Sequence, residues 1–229
     1  MKKIFIALDT SKLSEVKKII KNTHTNKIKF GYKFGLQFFN SKYGRQFISK
    51  LNRNKIVWLD LKLKDIPNTV SSSIYSLKDL KNLKYLTIHC SGGLEMMKKA
   101  KNAARKINKK LKILGVTVLT SFNANSIKKI GHTKNINKIV IQQAKLAKSA
   151  GLDGIVCSGR EIKSIKKICR KMDIIIPGIR LKGDAKQDQK RISYPKDAFL
   201  SGATGIVIGR SITKGNIKKN VQKLIKSLQ

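Results

Sequence analysis

The chain has 229 residues, 41% of them hydrophobic, enough for one domain with a substantial core. Its 51 Lys and Arg against 12 Asp and Glu give a formal net charge of +39. These basic residues are spread along the whole chain, as in Lys98-Lys99, Lys128-Lys129 and Lys166-Lys167, with no arginine-rich tail and no aromatic-basic motif. The charge therefore reads as a compositional bias that attracts anionic small molecules, and no specific nucleic-acid partner is expected. No apolar run reaches the ~20 residues of a membrane helix, so no membrane association is expected either. The three cysteines, Cys90, Cys157 and Cys169, have no zinc spacing and cannot all pair. They are expected to be reduced thiols in a cytoplasmic protein.

Short apolar runs alternate with longer amphipathic ones. Ile4–Asp9 reads as a strand, because Asp9 ends the run before it reaches the length of a signal-peptide core. Ser14–Asn22 follows as a helix with Val16, Ile19 and Ile20 on one face, then a strand over Lys27–Lys33 and a helix over about Phe38–Asn52. Ile56–Lys62 is the third strand, and Pro67 opens the next helix, where its missing N–H is no loss. Tyr85–Cys90 is a strand, and Gly92–Asn108 a helix with Leu94, Met97, Ala100, Ala104 and Ile107 at helical spacing. Met96 and Met97 read as core filler. Lys112–Leu119 is the fifth strand, and Ile136–Ala150 is a helix closed by Gly151. Asp153–Cys157 and Asp173–Ile179 are strands flanking a helix over Glu161–Lys171. A polar segment, Leu181–Tyr194, leads to a short helix over Pro195–Ser201, a strand over Gly205–Ile208 and a closing helix over Ile217–Leu228.

Eight strand–helix units with no hairpin signal imply a parallel sheet with crossover helices. In a chain this short they favour closure into a single (β/α)₈ barrel spanning residues 1–229. An open doubly wound sheet is the rival. Against it, the first turn, Asp9-Thr10-Ser11-Lys12, has no glycine-rich dinucleotide fingerprint.

In a barrel the working groups sit where strands end. Asp9, Lys33, Asp60, Lys62, Asp65, His89, Thr120, Ser158, Arg180 and the pair Gly209-Arg210 all fall there. Asp60 and Lys62, two apart on a strand, share a face, which would be the barrel interior. A lysine between carboxylates keeps its proton and suits proton donation, not Schiff-base formation. The spacing Asp-x-Lys-x-x-Asp alone fits a structural ion pair equally well. His24 and His132 need no role. His89 suits a structural, hydrogen-bonded histidine, and no His/Asp/Glu cluster suggests a metal.

The longer string Asp60-Leu61-Lys62-Leu63-Lys64-Asp65-Ile66-Pro67-Asn68-Thr69 closely resembles the signature of the orotidine 5′-monophosphate decarboxylases. The resemblance continues through Ile6-Ala-Leu-Asp9, Phe30-Gly-Tyr-Lys-Phe-Gly35, Leu86-Thr-Ile-His89 and Val116-Thr-Val-Leu-Thr-Ser121. It ends with Gly151-Leu-Asp-Gly-Ile-Val-Cys-Ser158, Pro177-Gly-Ile-Arg180, Asp188-Gln189-Lys-Arg191 and Ile208-Gly-Arg210. Three positions depart from it: Lys64 stands where many relatives carry His, Ser211 where Pro often follows Gly-Arg, and Phe34 where Val is usual.

The resemblance implies decarboxylation of orotidine 5′-monophosphate to uridine 5′-monophosphate in pyrimidine synthesis, without metal or organic cofactor. It implies Lys62 as the acid that protonates C6, Asp60 facing the departing carboxylate, and Lys33 pairing with Asp60 and touching the ribose. Asp65 and Thr69 would come from the partner chain of a homodimer with a shared active site. Asp9 would contact ribose, Thr120 the pyrimidine edge, and Gln189, Gly209, Arg210 and Arg180 the phosphate end. The string Asp60–Thr69, including Leu61, Leu63, Lys64, Ile66, Pro67 and Asn68, would line the substrate, and Leu181–Tyr194 would form a closing lid. Hexulose-phosphate synthase and ketogulonate-phosphate decarboxylase share Asp-x-Lys-x-x-Asp but use magnesium, with Glu where this chain has Lys33. Lysine supplies no oxygen ligand, which argues against them. A basic RNA-binding protein is the alternative from another class.

Overall fold

The computed structural model describes residues 2–184 and 193–228. Its strands are β1 (Lys3–Leu8), β2 (Phe30–Gly35), β3 (Ile56–Leu63), β4 (Leu83–His89), β5 (Lys112–Val116), β6 (Gly154–Val156), β7 (Asp173–Ile179) and β8 (Gly205–Ile208). All neighbours are parallel and in chain order, and β8 pairs back onto β1, closing the barrel. The helices among the described residues are α1 (Leu13–Asn22), α2 (Leu36–Phe39), α3 (Gly44–Lys50), α4 (Pro67–Tyr75), α5 (Gly93–Ile107) and α6 (Ala124–Lys129). They continue with α7 (Ile136–Ser149), α8 (Ile162–Ile168), α9 (Pro195–Leu200), α10 (Arg210–Thr213) and α11 (Ile217–Leu228).

The period-two alternation of each strand divides the apolar residues into two cores. Ile4, Ile6 and Leu8 of β1 face the helices, whereas Phe5 and Ala7 face the barrel interior with Trp58, Tyr85, Val116 and Val207. The rings of Phe5 and Trp58 meet edge-on at 4.8 Å, and those of Phe5 and Tyr85 at 5.1 Å. Gly31 makes room for this layer, since a Cβ there would lie 2.5 Å from the Phe5 ring. At the strand starts below it, Asp173 of β7 takes ion pairs from Lys3 of β1 and, at 3.0 Å, from Lys112 of β5. These side chains fill the floor among the described residues, and the cavity lies at the C-terminal ends of the strands.

The outer core follows helical spacing. α5 buries Met96, Met97, Ala100, Ala103 and Ala104, and α11 buries Ile217, Val221 and Leu224 at i, i+4 and i+7. Each large side chain so buried stabilises the fold by about 1.5–3 kcal/mol. Pro67 is the first residue of α4, where its fixed φ suits the helix start.

Several boundaries differ from the sequence expectation. β2 starts at Phe30 instead of Lys27 and reaches Gly35. The helix expected over Phe38–Asn52 is two, α2 and α3, because the chain turns at Asn40–Tyr43. Ser41 Oγ donates to the Phe38 carbonyl at 2.7 Å, and only glycine fits at 44, where a Cβ would lie 1.8 Å from that same oxygen. β5 ends at Val116 instead of Leu119. Two short helices were not expected. α6 is started by a capping box in which Asn123 Oδ1 accepts from Ser126 N and Ser126 Oγ accepts from Asn123 N, both at 2.9 Å. α10 begins directly after β8, at Arg210.

Candidate active site

The inward faces of the strands carry past the aromatic layer into a cavity of about 220 Å³ at the C-terminal mouth. On β1 the inward series Phe5-Ala7 ends at Asp9; on β2 it reaches Lys33; on β3 it runs Trp58-Asp60-Lys62. Thr120, Arg180, Gly209 and Arg210 line the remaining walls. The cavity thus collects acidic and basic groups at one end over an apolar base of Trp58, Val116, Val156 and Val207.

Asp60 is the hub. Its Oδ2 receives the ammonium of Lys33 at 3.0 Å and that of Lys62 at 2.9 Å. Its Oδ1 accepts the hydroxyl of Thr87 at 2.9 Å. Lys33 also reaches Asp9 Oδ1 at 3.4 Å. Burial alone would push the Asp60 carboxyl up, but the two ammonium groups outweigh it and bring it down to about 2. Burial would likewise push Lys33 down, and the carboxylates of Asp60 and Asp9 outweigh it and hold the amine above its ordinary value. Asp60 is therefore an anion and Lys33 a cation at neutral pH.

The backbone at this point is unusual. Lys62 has φ +50°, and among the described residues it alone is a non-glycine with positive φ. That conformation costs an L-residue about 1–2 kcal/mol and is found where surrounding contacts enforce it. Here the Lys62 N–H donates to Thr87 Oγ1 at 3.0 Å.

The rest of the expected string lies elsewhere. Leu61 packs into the core between barrel and helices, with Leu63 partly buried against it. Lys64, Asp65, Ile66, Asn68 and Thr69 are exposed, and Pro67 is half-buried at the start of α4. The Asp65 carboxylate accepts the N–H of Ile66 at 2.6 Å and makes no ion pair with Lys62 among the described residues of this chain. Gln189 and the Asp188–Arg191 motif lie outside the described residues, as does most of the segment read as a lid. His89 is half-buried and, among the described residues, makes no side-chain hydrogen bond, which corrects the expectation of a hydrogen-bonded histidine. Burial, then Lys62 and Lys64, hold its pKa below the ordinary histidine value. The sequence reading missed Thr87 and Trp58 as site residues. The inward alternation Tyr85-Thr87-His89 on β4 was the available signal for the first, and Trp58 is two residues before Asp60 on the same face.

Thr117 N–H still reaches Val156 across β5 and β6 at 3.2 Å, but the chain then leaves the sheet and carries Thr120 over the cavity. At the end of β7, Arg180 N–H donates to the Ser193 carbonyl at 3.0 Å and its guanidinium reaches the Ile179 carbonyl at 3.1 Å. Gly209 precedes α10, so the backbone approaches the cavity with no side chain in the way.

The sequence matches the family model described as "Orotidine 5'-phosphate decarboxylase / HUMPS family" over residues 2–224. An orotidine 5'-phosphate decarboxylase of Wolbachia sp. subsp. Brugia malayi is 42% identical over 228 residues, covering 98% of each chain. Another, from Wolbachia pipientis subsp. Culex pipiens, is 40% identical over 232 residues, covering 100% of this chain and 99% of the relative. Among solved structures, orotidine 5'-phosphate decarboxylase from Lactobacillus acidophilus superposes with a TM-score of 0.86 at 29% identity, covering both chains fully. A closed eight-stranded barrel with charged groups gathered at its mouth and full-length relatives near 40% identity agree on one assignment: the chain belongs to the orotidine 5′-phosphate decarboxylase / HUMPS family.

Proposed function

We propose that the protein decarboxylates orotidine 5′-monophosphate to uridine 5′-monophosphate and carbon dioxide, a step of pyrimidine nucleotide synthesis. The observation that carries this reading is the pair of ammonium groups, Lys33 and Lys62, on one oxygen of Asp60 at the cavity wall. Breaking the bond between C6 and the carboxylate leaves an electron pair at C6, in the ring plane. The Lys62 ammonium stabilises that charge and transfers its proton to C6. Asp60 faces the departing carboxylate and anchors Lys62, while Lys33 and Asp9 meet the ribose. Thr120 meets the pyrimidine edge. The phosphate dianion goes to the backbone at Gly209 and to the Arg210 guanidinium, with Arg180 nearby. Groups fixed before the reaction lose little free energy in reorganising, which is how charge of this kind accelerates a reaction.

The active unit is a homodimer in this reading. The support is that Asp65 and Thr69 sit on an exposed stretch beside Ile66, an apolar residue that is itself 67% exposed, as a stretch meant to be covered by a second copy would be. The partner's Asp65 would then complete an alternating array with Lys33, Asp60 and Lys62. The three buried, unpaired cysteines suit a reducing compartment such as the cytoplasm.

A magnesium-dependent sugar-phosphate reaction of the same superfamily fits less well. Its metal needs oxygen ligands, and at position 33 this chain offers an ammonium that already occupies Asp60 and Asp9. The test is turnover of orotidine 5′-monophosphate by chelator-treated protein, followed by the loss of its ultraviolet absorbance. Turnover without added metal is expected. Absence of turnover until magnesium is added, or turnover only of a sugar phosphate, would overturn the reading.

A further inference from the structure

β3 and β4 are in register at Leu59 with Leu86 and again at Leu63 with Ile88, so β3 spends four residues where β4 spends two. The surplus falls on Asp60–Lys62, and the left-handed turn at Lys62 absorbs it. Such a bulge frees backbone groups from the ladder, and a buried unpaired N–H is costly. Thr87, fully buried on β4 between the two points of register, meets that need.

The two hydrogen bonds of its hydroxyl have a fixed sense. Oγ1 accepts from Lys62 N–H at 3.0 Å, which leaves the single hydroxyl proton for Asp60 Oδ1 at 2.9 Å. The chain N–H to O–H to carboxylate polarises along its length. Since both ammonium groups approach Oδ2, the hydroxyl on Oδ1 fixes the plane of the carboxylate.

We propose that Thr87 is a positioning residue: its hydroxyl ties the bulged backbone of Lys62 to the carboxylate of Asp60 and thereby sets the direction in which the Lys62 ammonium meets the substrate. The proposal rests on the decarboxylase reading above. Only a hydroxyl both accepts the N–H and donates to the carboxylate from this spot, so serine can replace threonine, whereas valine, of the same shape, cannot.

Thr87→Val and Thr87→Ser are compared with the native protein in three measurements: turnover of orotidine 5′-monophosphate, the acid limb of kcat/KM, and titration of the Asp60 carboxyl by carbon NMR. For Thr87→Val, kcat is expected to fall about ten- to hundredfold, the loss typical of one hydrogen bond to a charged group, with a smaller change in KM. The Asp60 titration and the acid limb are expected to move to higher pH, because the carboxylate has lost a donor. Thr87→Ser is expected to restore all three. Native kcat in Thr87→Val, or a loss in Thr87→Ser as large as in Thr87→Val, would overturn the proposal. Should Thr87→Val not fold, Thr87→Ala replaces it against Thr87→Ser, and equal behaviour of that pair is the overturning result. If the native protein shows no turnover, the decarboxylase reading fails. The Asp60 titration then decides alone, and an unmoved titration in Thr87→Val rejects the positioning role.

Discussion

The Lys62 ammonium donates to Oδ2 of Asp60 at 2.9 Å although one residue separates them on the same strand. The Lys62 side chain is 32% exposed and that of Asp60 only 10%, so the carboxylate is the fixed end and the ammonium the end presented to the cavity. A regular strand places two such side chains parallel. The left-handed backbone at Lys62 and the bulge against β4 turn one toward the other.

Asp60 makes the protein acid-sensitive in a defined window. Its carboxyl falls from 3.8 to about 2 on folding, so the unfolded chain binds the proton more readily. The resulting stability, about 2 kcal/mol, is fully present above the unfolded value and is lost as pH falls through the folded one. Asp60→Asn should lose stability less steeply between pH 4 and 2 than the native protein in urea unfolding; parallel curves would show that the ion pairs contribute nothing. Lys33 acts in the opposite sense. Its raised pKa gives stability below the ordinary lysine value that is lost as pH rises through the folded one.

His89 should be neutral at pH 7, because burial, Lys62 and Lys64 all oppose its protonation. With its folded pKa below the unfolded one, it weakens the fold as pH drops below the ordinary histidine value. Lys64→Ala removes one of the opposing charges, so the His89 resonances in proton NMR should titrate at higher pH in that variant. An unchanged titration would mean that Lys64 has no part in it and that burial and Lys62 set the direction.

The floor of the barrel should matter for stability and leave catalysis alone. Asp173 accepts from Lys3, Lys112 and Thr204; burial would push its carboxyl up, and Lys3 and Lys112 outweigh it and bring it down. Asp173→Ala strands two ammonium groups and should cost about 2–4 kcal/mol in chemical denaturation, with kcat unchanged wherever the variant is folded. A loss of kcat in folded Asp173→Ala would tie the floor to the chemistry.

Most of the framework was legible because the alternation of strands and helices is a matter of period, and period survives in the sequence. Asp9, Lys33, Asp60, Lys62, Thr120, Arg180, Gly209 and Arg210 were expected at strand ends and line one cavity. What was not legible depends on backbone detail. The break between α2 and α3 turns on the close packing of Gly44 against the Phe38 carbonyl, which no periodicity announces. Thr87 looks like an ordinary strand threonine until the bulge at Lys62 gives its hydroxyl two partners.

A shared active site has its own signature. Asp65, exposed and among the described residues bonded only to the neighbouring N–H, would reach Lys62 of a second copy. Lys62→Ala and Asp65→Ala subunits, each inactive alone, should regain up to about a quarter of native activity when mixed and re-equilibrated, since random pairing makes half the dimers hybrids with one intact site each. Confirmed hybrids without activity would count against Asp65 acting across the dimer interface.

The most direct measurement of the central claim is the fate of C6 in heavy water with native and Lys62→Ala protein. Native protein should release uridine 5′-monophosphate with deuterium at C6, delivered by the exchanged ammonium. Lys62→Ala should form product at least about a thousandfold more slowly while keeping its circular dichroism and its affinity for the product within about tenfold. Folded Lys62→Ala that forms product at the native rate would contradict the account.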